Sequence, residues 1–299
     1  CEMSEAFGFI VSALSLGSMY ALMALGLVLI YGILKLVNFA YGELIMVAGY
    51  TLYLLNGSPL PWLVMGLCAI LAAVVASVAT EYIAFRPIRD KSLTAMLITS
   101  FAVSTLFQNA ALLLISPRSR VVPLPDLFSQ SIAVGNVLIQ MRDIIAVVVT
   151  FVLLGALTLL LNRTVLGIAL RAAADNMRMT RMLGVPANLL ISMAFAISGL
   201  LAGTVALFWL GRTASVTPGI GLEPLIVAFV ATVLGGLNSL VGAVVGGYVL
   251  ALMTVGINTF LPQDFVDYRQ AFTFALVILV LLFRPEGLIS SKTGTGNRP

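Results

Sequence analysis

The sequence contains no histidine. That removes serine–histidine catalysis, histidine metal sites and haem ligation through histidine from the available chemistries. There are only two cysteines, Cys1 and Cys68, and no Cys-x-x-Cys pair. Cys68 lies in an apolar run and reads as a small packing residue. Charged residues make up 9% of the chain, against about 25% in soluble domains, so a water-facing surface could not be covered. No G-x-x-x-x-G-K-[ST] loop occurs, and the SSKTGTG near the end does not supply one. Energy from a nucleotide would therefore have to enter through another chain. The opening CEMSEAFGF has no basic n-region and no obvious cleavage site, so no removable signal is expected. No series of arginines interrupts an apolar run as in a voltage sensor.

What the chain does have is apolar length. Hydrophobic residues reach 61% and the mean hydropathy is +1.11. Runs of roughly 20 apolar residues, the length that crosses a hydrocarbon core, recur from end to end. A transmembrane barrel would instead show short alternating segments. The fold class expected is all-α: one polytopic transmembrane helical bundle over 1–299. It has about eight to ten membrane segments, some of them broken or re-entrant. N-terminal helices fill 7–115. The stretch 116–143 carries Pro117, Pro123 and Pro125, which exclude a continuous helix. Its SIAVGNVLI reads as a small hairpin turning at Gly135-Asn136. C-terminal helices fill 188–284, and 285–299 is a tail. Residues 225–261 divide either into two spans or into one broken helix and one span. Trp62 and Trp209 are expected in an aromatic belt.

Between two greasy runs lies a basic, helix-forming insert, 162–187, with Arg163, Arg171, Arg178 and Arg181. Placed inside the cell, it brings 86–91 and the tail to the same side by alternation. Eleven cations then lie inside and five outside, as the positive-inside rule requires. The N-terminus is outside and the C-terminus cytoplasmic. Within the insert Arg171, Asp175 and Arg178 share one helical face at i, i+4 and i+7. Met179, Met182 and Leu183 form an apolar tip, Gly184 is a suitable C′ residue, and Pro186 blocks continuation. Such a helix suits a groove on a soluble partner; a connecting helix lying on the headgroups is the alternative.

Glu43 is the only acidic residue deep within an apolar run. A charge at mid-membrane costs roughly 2.5–3.5 kcal/mol on insertion scales, so it must face protein or water. It either lines a pathway or is a carboxylate bonded between helices. Asn38 is placed to cap the following helix, making 38–42 a helix start that attracts an anionic group. Glu81 and Glu223 fall near span ends and read as interfacial anchors. A faint internal echo pairs Leu36-Val37 and Gly42 with Leu240-Val241 and Gly246; paired, Gly-interrupted segments mark substrate sites in transporters.

Three ordered blocks carry a family resemblance: GLVLIYGILKLVNFAYGELIMVAGY at 26–50, LRAAADNMRMTRMLGV at 170–185, and ATVLGGLNSLVGAVVGGYVLAL followed by FALVILVLLFRPEGL. They resemble the permease subunits of ABC importers for branched-chain amino acids, the LivH/LivM type, and the LivH-like branch more than the other. The resemblance implies one of two homologous permeases in a heterodimer of the bacterial inner membrane. Two cytosolic ATPases that bind ATP and magnesium would sit below it, and a periplasmic substrate-binding protein above. No cofactor, metal or nucleic acid is expected on this chain, and no catalysis. Asn38, Tyr41, Gly42 and Glu43 would line the translocation pathway; Tyr41 stands where the family often has histidine. Arg171, Asp175, Arg178, Met182, Leu183 and Gly184 would form the ATPase-coupling helix. Branched-chain amino acids lead the expected substrates, before other amino acids and then urea or amides. An ATP-independent transporter or channel is the rival class and would need more intramembrane ionisable residues.

Overall fold

The computed structural model describes residues 2–289 except 90, 123–124, 126–127, 129, 135–136, 263–264, 266–267 and 285–286. The Gly135-Asn136 turn and the tail from residue 290 therefore lie outside the described residues. The side chain of Arg178 does too.

The helices in chain order are α1 (Glu2–Leu34), α2 (Tyr41–Leu55), α3 (Trp62–Thr80), α4 (Leu93–Leu114), α5 (Met141–Arg163), α6 (Val165–Met182), α7 (Ala187–Thr213), α8 (Leu222–Gly235), α9 (Leu240–Phe260) and α10 (Arg269–Phe283). A π-helical turn, Glu81–Phe85, extends α3. Among the described residues six helices are long and apolar enough to cross a membrane: α1, α3 with its π turn, α4, α5, α7 and α9. Three more are apolar but shorter, α2, α8 and α10. The mostly helical, polytopic architecture agrees with the sequence. Residues 225–261 resolve as one short helix plus one full span.

Two tiny antiparallel ladders sit at one end of the bundle. β1 (Arg120–Val121) pairs with β4 (Ser215–Val216), and β2 (Ser131–Val134) pairs with β3 (Val137–Gln140), the hairpin read from SIAVGNVLI. Ser15 near the start of α1 donates to Asp143 at that end (2.7 Å), and Arg212 pairs with the same carboxylate (3.0 Å). At the opposite end Gly32 of α1 meets Ala174 of α6. The hairpin and the polar helix α6 thus mark opposite faces of the bundle.

The core is α1, whose residues from Met19 to Ile30 are almost all buried. Small residues let its neighbours close on it. Gly17 lies against Tyr248 and Gly247 against Ala21, locking α1 to α9. On the other side Gly199 and Gly203 of α7 lie against Ser77, Ala73 and Ile70 of α3. These two contacts correspond. The packing relates α1–α2–α3–α4 to α7–α8–α9–α10: α1 packs on α9 as α7 packs on α3, α2 on α3 as α8 on α9, and α2 on α7 as α8 on α1. Because α1 and α7 run in opposite directions, the two units are inverted repeats, a transporter architecture.

The repeats meet where the short helices begin. α2 runs toward the hairpin end, where Arg120 covers Tyr53. α8 runs toward the α6 end, where Asn238 accepts from Lys35. Their first turns abut: a Cβ on Gly42 would stand 2.1 Å from the Gly221 carbonyl oxygen, and one on Gly221 would stand 2.5 Å from that of Gly42. The counterpart of Gly42 is therefore Gly221, not Gly246 as the faint echo suggested; Gly246 packs on Ala231 and Gly235. The echo matched Gly spacing between helices that do not occupy equivalent places.

Two side-chain expectations also change. Glu81 is fully buried rather than an interfacial anchor. Trp209 is 8% exposed and belongs to the core, while Trp62 packs at a tilt against Phe128, with ring centroids 4.8 Å apart and planes at 51°. Backbone contact at Gly42 leaves nothing flexible to yield, so Gly42→Ala should destabilise the protein by about 1–3 kcal/mol. Gly155→Ala, where a Cβ meets nothing within 4 Å, should be near neutral. Thermal unfolding in one detergent reads the difference; equal melting temperatures would refute the crossing.

Candidate functional site

The segment that carries α1 into α2 is short and built of bends and a turn. It begins with Lys35 in the left-handed region (φ 53°). Asn38 follows, buried, and its side chain does not sit at the helix N-cap. Ala40 takes that position without a side-chain bond. Asn38 instead accepts from the Ala40 amide through Oδ1 (3.1 Å), and its carbonyl accepts from the Tyr41 amide (3.2 Å). This turn binds amides that a helix start leaves free. Tyr41 is fully buried against Gly26, and its hydroxyl has no partner among the described residues. Gly42 meets Gly221.

Glu43 follows in the first turn of α2, 1% exposed. Its Oε1 accepts from Ser104 Oγ (2.9 Å) and from Gln108 Nε2 (2.6 Å), both on α4. Its Oε2 is buried with no partner among the described residues. Ser104 stands half-way along α4, so the carboxylate lies deep in the apolar layer. The bonded-between-helices reading of Glu43 is what the geometry displays, and one carboxylate oxygen is left over. A first-turn acid also offsets the positive end of the helix dipole.

Asn38, Tyr41, Gly42 and Glu43 are therefore brought together with each other and with α4, α7 and α8. Ser104, Gln108 and Gly221 were not singled out from sequence. Ser104 and Gln108 are two polar residues at i, i+4 in a span whose hydropathy, 1.6, is the lowest of the six; that was the available signal.

The second set lies on α6. Thr164 caps this helix through a bond from the Gly167 amide (3.0 Å). The helix is not continuous: Asn176 has φ −153° and ψ 94°, and its Oδ1 accepts from the Met179 amide (3.1 Å), restarting the helix as a new N-cap. The single face expected for Arg171, Asp175 and Arg178 is thereby broken between the second and third residues. Arg171 donates to Asn162 (2.9 Å). With Asp175, Lys35 and Asn238 it lines a cavity of about 550 Å³ against the end of α1. Beyond the kink, Met179, Met182 and Leu183 are 59%, 69% and 82% exposed. Gly184 is the left-handed terminator expected of it (φ 81°).

Beside this loop the buried Glu81 accepts from Ser192 (2.7 Å) and faces Arg89 at 3.9 Å. Arg89 also donates to Asn188, in the first turn of α7. Glu81 and Arg89 thus tie the end of α3 to the start of α7, directly after Gly184 and Pro186.

The sequence that builds this bundle, with its two short helices meeting inside and its exposed loop helix, matches a known family. The model of the branched-chain amino acid transport system permease component matches residues 9–281. The chain is 35% identical over 294 residues to the high-affinity branched-chain amino acid transport system permease protein BraD of Pseudomonas aeruginosa, covering 94% of each. It is 32% identical to the corresponding LivH of Escherichia coli, covering 96% of this chain and 97% of that one. A probable branched-chain amino acid transport permease protein of Methanocaldococcus jannaschii is 28% identical over 92% of the chain. The chain belongs to the family of branched-chain amino acid transport system permease components.

Proposed function

We propose that this chain is one of two permeases in an ATP-driven importer that carries branched-chain amino acids inward across the bacterial inner membrane. Two cytosolic ATPases supply the hydrolysis, a periplasmic protein delivers the substrate, and the second permease is a homologue of this one. The family supports the importer and its substrate class. The observation that carries the ATPase partnership is the apolar tip of α6. Met179, Met182 and Leu183 stand uncovered on a polar loop outside the spans. Exposed apolar groups of that size mark a protein contact, and the chain has no nucleotide-binding motif of its own. The α6 end is the cytoplasmic one, with the hairpin outside, in line with the excess of cations at that end. On this reading α2 and α8 are the helical halves of broken spans that cross from one side to the other, and with α10 the membrane segments number nine.

Coupling then runs through the tip rather than through a continuous basic face. ATP-driven closure of the ATPases must favour one of two loop positions over the other to move the equilibrium between outward- and inward-facing states. The pathway passes Asn38–Glu43, where the half-helix starts bring unusual backbone into the middle of the span, an arrangement transporters reserve for the substrate route.

Two measurements test these assignments. Burial of a leucine side chain is worth about 1.5–3 kcal/mol, so Leu183→Asp should weaken ATPase association about tenfold or more. The permease itself should remain monodisperse in detergent. Undiminished co-purification and leucine uptake in that variant would sink the docking assignment. At the pathway, Glu43→Leu strands Ser104 and Gln108 and should lower stability by about 1–3 kcal/mol. Glu43→Gln keeps the shape and should spare stability while reducing uptake of labelled L-leucine by reconstituted transporter. Normal uptake by Glu43→Gln across the pH range would leave Glu43 with a packing role alone.

A further inference from the structure

The two half-helices that meet inside the bundle each carry a glutamate in the first turn, Glu43 on α2 and Glu223 on α8. The inverted repeat gives them related surroundings, since each faces the last helix of its own unit. Around Glu43 the space is closed by Ser104 and Gln108 of α4. Around Glu223 it is open. A cavity of about 190 Å³ lies between α1, α8, α9 and α10, and Glu223 lines it together with Arg269, the first residue of α10. The two opposite charges share this cavity without approaching within the 4.0 Å of an ion pair, and Glu223 has no hydrogen-bond partner among the described residues. The Nε of Arg269 is buried and also lacks a partner. A buried donor left without an acceptor is unfavourable, so an acceptor brought by a ligand would be favoured there.

The rest of the lining suits the same ligand. Val227, Leu250 and Phe274 offer an apolar wall, and Asn258 stands exposed at the rim. A carboxylate, a guanidinium held apart from it and an apolar wall are complementary to a molecule that carries an ammonium and an anionic group next to a hydrocarbon branch. The lining is mixed rather than apolar throughout, since Tyr20, Thr254, Gln270 and Thr273 stand beside those three side chains.

We propose that this cavity is a second substrate site, at which an α-amino acid with an apolar side chain binds as its zwitterion. The ammonium is held by Glu223, the carboxylate by Arg269, and the side chain lies on Val227, Leu250 and Phe274. The inference rests on the reading that the chain transports such amino acids. A phosphatidylethanolamine headgroup presents the same pair of charges, so the test must separate the two.

The membrane complex, prepared without its soluble binding protein and held in phosphatidylglycerol nanodiscs, is titrated with radiolabelled L-leucine. Saturable binding is expected, displaced by L-isoleucine but not by leucinamide, which lacks the carboxylate, nor by 4-methylpentanoate, which lacks the ammonium. Glu223→Gln and Arg269→Gln should each weaken binding tenfold or more. Asn258→Trp, which fills the mouth from an exposed position, should do the same while the complex elutes unchanged on size exclusion. Saturable binding that none of the three variants alters would place the ligand elsewhere and overturn the proposal. Displacement by phosphoethanolamine, with phosphatidylethanolamine retained through purification from native membrane, would assign the cavity to lipid. Absence of saturable binding in a complex whose whole transporter still imports leucine would overturn this site and leave the proposed function standing. Failure of the whole transporter to import leucine would overturn the proposed function instead.

Discussion

The rest of this structure depends on the backbone contact between Gly42 and Gly221. Two helices begin inside an apolar layer, and a helix start leaves amide hydrogens without partners. No water is available there to bind them, and each unsatisfied group would cost several kcal/mol. The chain resolves the problem locally. In the first approach segment Asn38 binds the amides of Ala40 and Tyr41, and Ala40 binds that of Glu43. In the second, Thr217 accepts from Ile220 and Gly219 from Leu222. With those bonds made, the two turns can press together, and only glycine permits it, since any Cβ would enter the opposite carbonyl. A continuous span in either place would avoid the difficulty. Its persistence in both repeats argues that broken backbone is wanted at this depth.

That contact sets the positions of the groups around it. Tyr41 enters the notch at Gly26 of α1, and the carbonyl of Gly26 accepts from Ser198 of α7 (2.9 Å). Thr232 of α8 reaches the Ala24 carbonyl (3.4 Å), two residues earlier on α1. Both hydroxyls sit on helices of the second repeat and bond to the central helix of the first. Glu43 is then held against α4 with one oxygen bonded twice and the other unbonded. The buried polar side chains among the described residues are few; Ser15, Ser18, Glu43, Ser77, Glu81, Ser198 and Thr232 bridge elements, while others such as Thr80, Ser100 and Thr204 bond within their own helix. In a layer where lipid is as apolar as the protein, small-residue packing and such bridges supply the cohesion between helices.

Much of the span pattern was legible because apolar run length is a strong signal. The N-terminal block expected over 7–115 closes with α4 at Leu114, and the C-terminal block expected over 188–284 runs from Ala187 at the start of α7 to Phe283 at the end of α10. α1 begins ahead of residue 7 and α5 reaches back into 116–143, because the flanking polar residues continue the helix outside the apolar run. Glu43 stood out because nothing else acidic lies so deep. The inverted repeat did not, since inversion equates helices of opposite direction whose sequences need share only small residues at contacts. The Leu-Val-Gly echo was therefore a poor guide. Glu81 was misread because hydropathy falls just after it at Arg86; its burial comes from Ser192, 111 residues away, and from Arg89 after the π turn. The break in α6 was written in Asn176, a good N-cap residue, but helix formers on both sides masked it.

α7 connects the pieces in a way that a list of sites does not convey. Its first turns hold Asn188 and Ser192, bonded to Arg89 and Glu81 at the end of α3. Its middle holds Ser198 against Gly26, and glycines 199 and 203 against α3. Its far end carries Arg212, paired with Asp143 and bonded to Ser15. It follows directly on Gly184 and Pro186, the end of the exposed loop. A helix of 27 residues is stiff along its axis, so a displacement of the loop is passed on rather than absorbed at its root. Arg89 and Glu81 oblige α3 to share that displacement, while Ser198 delivers it beside Tyr41. Coupling between distant sites needs contiguous packed elements with two discrete arrangements. The ties at each end and the glycine contact at the centre give α7 the contiguity; the crossing of the half-helices, which has no side chains to deform, is where a second arrangement would have to differ.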